Sequence, residues 1–333
     1  MQFAILIHDN NHNRYSLYKS RIERQLSRLI ERKTPVCVYE PIDYVLKAGG
    51  KRVRAVLTLL SCEAVGGTQR RALPAACAIE ILHNFTLVHD DVMDNSPLRR
   101  GRATVHTKWD TNVAILSGDE LVAYAYQSLL KTKSSSFLAL MTSFTNAFIE
   151  VCEGQGFDKE YERRSDVTLD EYLLMIEKKT ARVISAACEL GAIAGNGTRR
   201  EIQALRTFGE AIGMAFQIQD DVLDITATEQ ELGKPIGGDV MEGKKTYLLL
   251  RALQRATPSQ RTVLERVVHK HNIHKRMVQQ VLHIYEETGA LDDARYRVID
   301  YTSVAQNALK QLQFGKSVAM LRWLSQRLLE RNS

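Results

Sequence analysis

The chain has 333 residues, 44% of them hydrophobic and 25% charged, with a formal net charge of +6. No run reaches 18 apolar residues, which excludes a membrane-spanning helix, and the apolar stretch within Met1–Asp9 is too short for a secretory signal. Five cysteines (Cys37, Cys62, Cys77, Cys152 and Cys188) form no CxxC pair and are odd in number, which argues against a disulfide framework and predicts a reducing, cytoplasmic setting.

Basic residues crowd the first predicted helix (Arg21, Arg24, Arg28, Arg32, Lys33) and the tail (Arg322, Arg327, Arg331). No nucleic-acid-binding motif accompanies them, so no nucleic-acid partner is expected. Leucines and isoleucines at helical spacing in the same segments favour weak attraction to an anionic membrane surface instead. The six prolines, at 35, 41, 74, 97, 235 and 258, read as segment edges that leave long uninterrupted stretches between them. Ile115–Leu130, Phe137–Cys152, Leu169–Ile193, Glu201–Thr226 and Val278–Thr288 lack the short alternating runs of a β-protein. The expectation is an all-α chain of ten or more helices with little or no sheet, forming a single domain over residues 1–333 as one large bundle around a central cavity. Residues 1–14 are expected to be a peripheral N-terminal extension.

Taken in order, the first segment with chemistry is Gly49-Gly50-Lys51-Arg52-Val53-Arg54, where Lys51 and Arg54 stand three apart after a flexible glycine pair and are expected on one face of a helix start. Asp90-Asp91-Val92-Met93-Asp94 then continues the apolar run Phe85-Thr86-Leu87-Val88, and Arg99-Arg100-Gly101 follows beyond Pro97, in a loop able to bend back over an anion. Lys179-Thr180 lies mid-helix. A second acidic triplet, Asp220-Asp221-Val222-Leu223-Asp224, continues Ala215-Phe216-Gln217-Ile218, with Lys234 and Lys244 just after it.

On an α-helix, successive residues turn by about 100°, so the first, second and fifth positions of DDxxD fall within one sector of about 100°. Like charges about 5 Å apart repel by roughly 3 kcal/mol per pair at an effective dielectric of 20. Six converging carboxylates are therefore destabilising without cations, and hard divalent cations take such oxygens. A carboxylate cluster on one helix face is usually a solvated surface, and each lysine or arginine taken singly is usually a surface charge. The two acidic motifs and the basic residues together describe a magnesium site beside a cationic pocket, which implies two separate polyanions. His83 precedes Asp90 by seven residues, about 10.5 Å lower on nearly the same face, and Gln217 precedes Asp220 by three. His83 is either a group that looks into this pocket or a core histidine bonded to a backbone carbonyl. His89 and His106 are assigned to structure.

With these motifs in order from about Tyr39 to Tyr247, including Phe216-Gln217-Ile218-Gln219-Asp220-Asp221 and Gly233-Lys234-Pro235, the chain resembles the trans-isoprenyl diphosphate synthases, the polyprenyl synthetase family, of the short-chain type that makes geranylgeranyl or farnesyl diphosphate. The resemblance implies the isoprenoid synthase type I fold and a homodimer. It implies Asp90, Asp94 and Asp220 as main ligands of three magnesium ions, with manganese as a possible substitute, and Asp91, Asp221 and Asp224 in support. Arg99, Lys179, Lys234 and Lys244 resemble the residues that grip the allylic diphosphate, and Lys51, Arg54, His83 and Arg100 those that bind isopentenyl diphosphate. Thr180 and Gln217 resemble the polar pair near the reacting carbons. Ala55 stands where many relatives have proline.

The implied chemistry is head-to-tail condensation of isopentenyl diphosphate with an allylic diphosphate. Positioning and electrostatics carry it, with Lys179, Thr180, Gln217 and Lys234 nearest the reaction and the departing diphosphate as proton acceptor. Ile79, Leu82 and Phe85 form a bulky strip at three-residue spacing, a pattern that usually marks core; by resemblance they are the chain-length candidates, with Phe85 at the floor that stops growth of the product by clash. A helical wheel turns Phe85 away from the carboxylate sector. By resemblance, an aromatic at 85 followed by Thr86, with no insertion in the first motif, implies a twenty-carbon product, with fifteen-carbon farnesyl diphosphate as the alternative. A class I terpene cyclase and a non-catalytic subunit of the same fold remain rival readings, opposed respectively by the second DDxxD with the Lys51, Arg54 and Arg100 set, and by the intact metal motifs.

Overall fold

The computed structural model describes residues 2–29, 34–227, 236–269, 273–313 and 315–330. The fold is all-α, and the only strands among these residues are a two-residue antiparallel ladder, β1 (Leu98–Arg99) with β2 (Arg102–Ala103). By compactness the chain divides into two units. The first comprises Met1–Phe148, Ala186–Arg206 and Gln311–Trp323, and the second Ile149–Ser185, Thr207–Lys310 and Leu324–Ser333.

In the first unit, α1 (Gln2–Ser27), α2 (Val36–Lys47), α3 (Val53–Ala64) and α4 (Gln69–Met93) precede the β-ladder. After it come the short α5 (Val105–Lys108) and α6 (Thr111–Leu129). Helix α4 packs along α6 and α3 and is buried on nearly every side from Ala75 to Leu82. A helix buried all round belongs in a core, and Asp90–Asp94 lie at its less buried C-terminal end. Asp110 caps α6 by accepting the Val113 N–H at 2.8 Å, the usual remedy for an orphan first-turn donor.

Helices α7 (Phe137–Tyr161), α9 (Arg182–Ala194) and α10 (Arg199–Thr226) continue from one unit into the other. The second unit also holds α8 (Leu169–Ile176), α11 (Gly238–Glu242), α12 (Tyr247–Arg255), α13 (Pro258–Val268), α14 (Lys275–Glu287) and α15 (Ala290–Leu309). Its core gathers Tyr172, Ile218, Leu249, Val281 and Tyr285, all 2% exposed or less. The last helix, α16 (Lys316–Glu330), begins in the first unit.

Three expectations need correction. Pro41 and Pro74 are not segment edges, since they lie inside α2 and α4. Each helix forgoes one backbone bond for lack of a proline N–H, a loss that tertiary packing outweighs. Lys51 does not share a helical face with Arg54, because α3 starts only at Val53 and its N-cap Arg52 is left-handed (φ 53°). The stretch Leu169–Ile193 is not one regular helix, since Glu177–Ala181 forms a π-turn between α8 and α9.

Candidate active site

At the C-terminal end of α4, the Asp94 N–H donates to the Asp90 carbonyl at 2.8 Å, so the triplet keeps its helical spacing to the last residue. Asp90 is half-buried and Asp94 exposed, whereas Asp91 is buried and accepts the Arg99 guanidinium at 2.7 Å. The second aspartate thus ties the β-ladder back to its helix. Burial raises the Asp91 carboxyl above its usual range, against the pull of Arg99.

The second motif repeats this division in the other unit. Asp220 is half-buried, while Asp221 accepts the Tyr172 hydroxyl at 2.5 Å and the Tyr247 N–H at 3.0 Å. That N–H is the first of α12, so the carboxylate sits on a helix N-terminus where the backbone dipole favours it. Asp224 accepts the Asp239 N–H at 2.9 Å, at the start of α11. Burial, and next the charges of Asp239 and Asp220, push the Asp221 carboxyl up to about 7, despite the bonds from Tyr172 and Tyr247.

That upward shift marks a carboxylate group short of positive charge. An all-oxygen donor set in such a place fits a hard divalent cation. Among the described residues, no three His, Cys, Asp or Glu side chains converge closely enough to hold a metal by themselves. Magnesium suits that arrangement, since it is usually held by one or two carboxylates together with water and substrate phosphates.

The cationic residues of the first unit do converge. Arg54 Nη1 lies 3.2 Å from His83 Nε2, and because a guanidinium only donates, Nε2 accepts and the neutral ring carries its proton on Nδ1. Burial first, then the charges of Arg54, Arg100, Arg99 and Arg52, hold His83 well below its ordinary value. His83 is therefore not bonded to a backbone carbonyl through Nε2. Arg100 donates from Nη1 to the Gly49 carbonyl at 2.6 Å and lies so close to Gly50 that a Cβ there would stand 2.6 Å from it. Gly50 also has φ +128°, so only glycine satisfies both demands. The buried Arg52 reaches Glu80 at 3.1 Å and the Leu46 carbonyl.

In the second unit, Thr180 donates to Gln217 Oε1 at 3.0 Å, and Gln217 Nε2 reaches Asp221 at 3.4 Å, so the expected polar pair meets beside the second acidic motif. Lys179 donates to Asp158, and Lys244 to Glu242 at 2.8 Å and Asp239 at 3.3 Å. Both lysines therefore hold carboxylate partners that an incoming anion would have to displace. Lys234 lies outside the described residues. Ile79 and Leu82 are fully buried, as the core reading of their spacing anticipates. Phe85 packs edge-on against Phe148 at 5.4 Å and against His89 at 4.7 Å between ring centroids.

Sequence reasoning missed Tyr172, Tyr247, Asp239, Asp158 and Glu80, whose roles come from partners far along the chain. It also missed Gly154 and Gly213, which did carry a signal, since glycine inside a helix marks close backbone approach. A Cβ at 154 would stand 2.3 Å from the Lys179 backbone nitrogen, and one at 213 would stand 2.4 Å from the Ala181 Cα. The π-turn that bears Lys179 and Thr180 is clasped between these two glycines, and such turns recur at functional sites.

The fold is all-α, with a carboxylate-rich helix end in each unit and a knot of arginines in the first. The model of the polyprenyl synthetase family matches residues 35–285. A short chain isoprenyl diphosphate synthase of Methanothermobacter thermautotrophicus is 37% identical over 94% of this chain and 96% of its own. A geranylgeranyl diphosphate synthase of Methanosarcina mazei is also 37% identical, over 88% and 90%. The crystal structure of geranylgeranyl pyrophosphate synthetase from Pyrococcus horikoshii superposes with a TM-score of 0.93 at 36% identity, covering 98% of this chain and 99% of that one. The chain belongs to the polyprenyl synthetase family and is a prenyltransferase.

Proposed function

We propose that the protein condenses isopentenyl diphosphate head to tail with an allylic diphosphate and that its main product is geranylgeranyl diphosphate. The observation that carries this reading is Arg54 on the His83 ring nitrogen with Arg100 on the Gly49 carbonyl: Arg52 and Arg99 are paired with Glu80 and Asp91, which leaves Arg54 and Arg100 as the cations that a diphosphate would meet. Arg54 and Arg100 bind that group, with Lys51 beside them, and the His83 Nδ1–H is left as a donor. The His83 lone pair is engaged by Arg54, so this ring is a poor base, which supports proton transfer to the departing diphosphate.

Asp90, Asp94 and Asp220 are the proposed magnesium ligands, with Asp91, Asp221 and Asp224 fixing the segments around them. When bound, the metal supplies neutralisation of the charge that develops on the leaving diphosphate. Lys179 and Lys244, with Arg99 and Lys234, orient the allylic diphosphate, and Thr180 with Gln217 shapes the polar wall near the reacting carbons. The two acidic motifs serve one reaction, so residues 1–333 act as one catalytic domain.

The product assignment rests on Phe85, backed edge-on by Phe148, and on relatives named geranylgeranyl diphosphate synthase. Incubation with isopentenyl diphosphate, magnesium and each allylic primer in turn should yield mainly twenty-carbon product. Growth ending at fifteen carbons would reassign the enzyme to farnesyl diphosphate, and no prenyl product at all would overturn the reading. Phe85→Ala should lengthen the product, and an unchanged distribution would place the floor elsewhere. Exposed Ile115 and Leu116 on α6 accord with a homodimer, which a monomeric mass by light scattering would exclude.

A further inference from the structure

Beyond the expected extension over residues 1–14, side chains of α1 reach the Gly49–Arg54 loop. The Tyr15 hydroxyl donates to the carbonyl of Lys51. Glu23, two turns further along α1, lies 3.8 Å from the Arg52 Nε, and Lys19, midway between them, lies 3.8 Å from Glu23. Residues 15, 19 and 23 recur every four positions and so form one stripe along the helix. The stripe is itself anchored: Arg14 donates to Glu63 at 2.6 Å and to Ser317 at 2.9 Å, and Tyr18 donates to Glu63 at 2.6 Å.

The loop needs such support. Gly49, Gly50 and Arg52 all have positive φ, and in Arg52 the left-handed conformation crowds the Cβ against the following carbonyl oxygen. A backbone in that state persists only where its surroundings over-determine it. Arg100 on the Gly49 carbonyl and Arg52 on Glu80 supply two of the restraints, but both are cations of the anion pocket itself. Tyr15 supplies a restraint from outside that pocket.

We propose that α1 is a working part of the isopentenyl diphosphate subsite, with Tyr15 as a positioning residue that fixes the Lys51 peptide so that Lys51 and Arg54 address the same anion. This rests on assigning Lys51 and Arg54 to isopentenyl diphosphate. The hydroxyl sets the Lys51 carbonyl direction, and with it the path of the chain into the left-handed Arg52 and the first turn of α3. Its removal leaves the cations present but no longer held in one arrangement.

The test is Tyr15→Phe in the full chain, which deletes one oxygen and keeps the ring against Trp323. The KM for isopentenyl diphosphate should rise about 3- to 10-fold, the loss of one neutral hydrogen bond, with kcat and the allylic KM within about twofold of wild type. Calorimetric titration with isopentenyl diphosphate alone should weaken by the same factor, which separates binding from turnover. Glu63→Gln, which loosens the anchorage of α1 without touching the loop, should raise the same KM and combine with Tyr15→Phe less than additively. An isopentenyl diphosphate KM within twofold of wild type in Tyr15→Phe, or equal rises in both KM values, would overturn the proposal. Failure of the wild-type protein to bind isopentenyl diphosphate would instead overturn the underlying site assignment.

Discussion

At the scale of single residues, the six aspartates of the two motifs divide into two kinds. Asp91, Asp221 and Asp224 are buried and occupied by protein donors, whereas Asp90 and Asp220 are half-buried and Asp94 is exposed. Substitution should separate them. Asp90→Asn and Asp220→Asn should lower turnover by orders of magnitude, since losing an electrostatic stabiliser of the transition state costs several kcal/mol, while the melting temperature stays near wild type. Asp221→Ala should destabilise by about 1–3 kcal/mol as well, because the buried Tyr172 hydroxyl and the Tyr247 N–H lose their acceptor. Thermal melts and steady-state kinetics on the same preparations check both halves; a normally active Asp90→Asn enzyme would refute the metal assignment.

Among the elements, the π-turn Glu177–Ala181 is the clearest case of local structure imposed by neighbours. Nothing in Glu177-Lys178-Lys179-Thr180-Ala181 marks it in sequence, and its backbone is set by α7 and α10 pressing in through Gly154 and Gly213. The extra residue in the turn re-aims Lys179 and Thr180 relative to a regular helix. Gly154→Ala would place a methyl against the Lys179 backbone, which cannot yield as a side-chain tip would. It should cost about 1–3 kcal/mol of stability by overpacking and should lower kcat through displacement of Thr180. A variant with wild-type stability and rate would show that the turn tolerates the shift. The short helices after the second motif follow the same logic, since Asp224 and Asp221 each accept a first-turn N–H, of α11 and of α12 respectively.

Across the whole chain, the network around Glu63 joins residues from nearly both ends, with Arg14 and Tyr18 of α1, Gln69 at the start of α4 and Ser317 of α16 all donating to it. Burial alone would raise this carboxyl, but the hydrogen bonds from Tyr18, Gln69 and Ser317 and the charge of Arg14 outweigh it and hold it below the usual range. A folded-state value below the unfolded one contributes stability that is present above the unfolded value and is lost as pH falls through the folded one. Acid melts from neutrality to below pH 4.5 should therefore show a decline that Glu63→Gln flattens. Parallel curves for the two proteins would remove Glu63 from the acid response.

The sequence by itself determined the helical class, the spacing of both acidic triplets and the identity of the arginines, because helical periodicity and motif spacing are local properties read within a few turns. It anticipated the meeting of Thr180 with Gln217 through the family pattern, and it left His83 open between core and pocket. Only the tertiary structure decided that Arg54 occupies the His83 ring nitrogen, that Asp91 and Asp221 are bound to the segments that follow their motifs, and that Pro41 and Pro74 sit within helices. It also placed Tyr15 on the Lys51 carbonyl and Gly154 against Lys179. These contacts join residues from 8 to 36 positions apart, most of them carried on separate elements. Their energies depend on burial and on the approach of neighbouring elements, which no window along the chain contains.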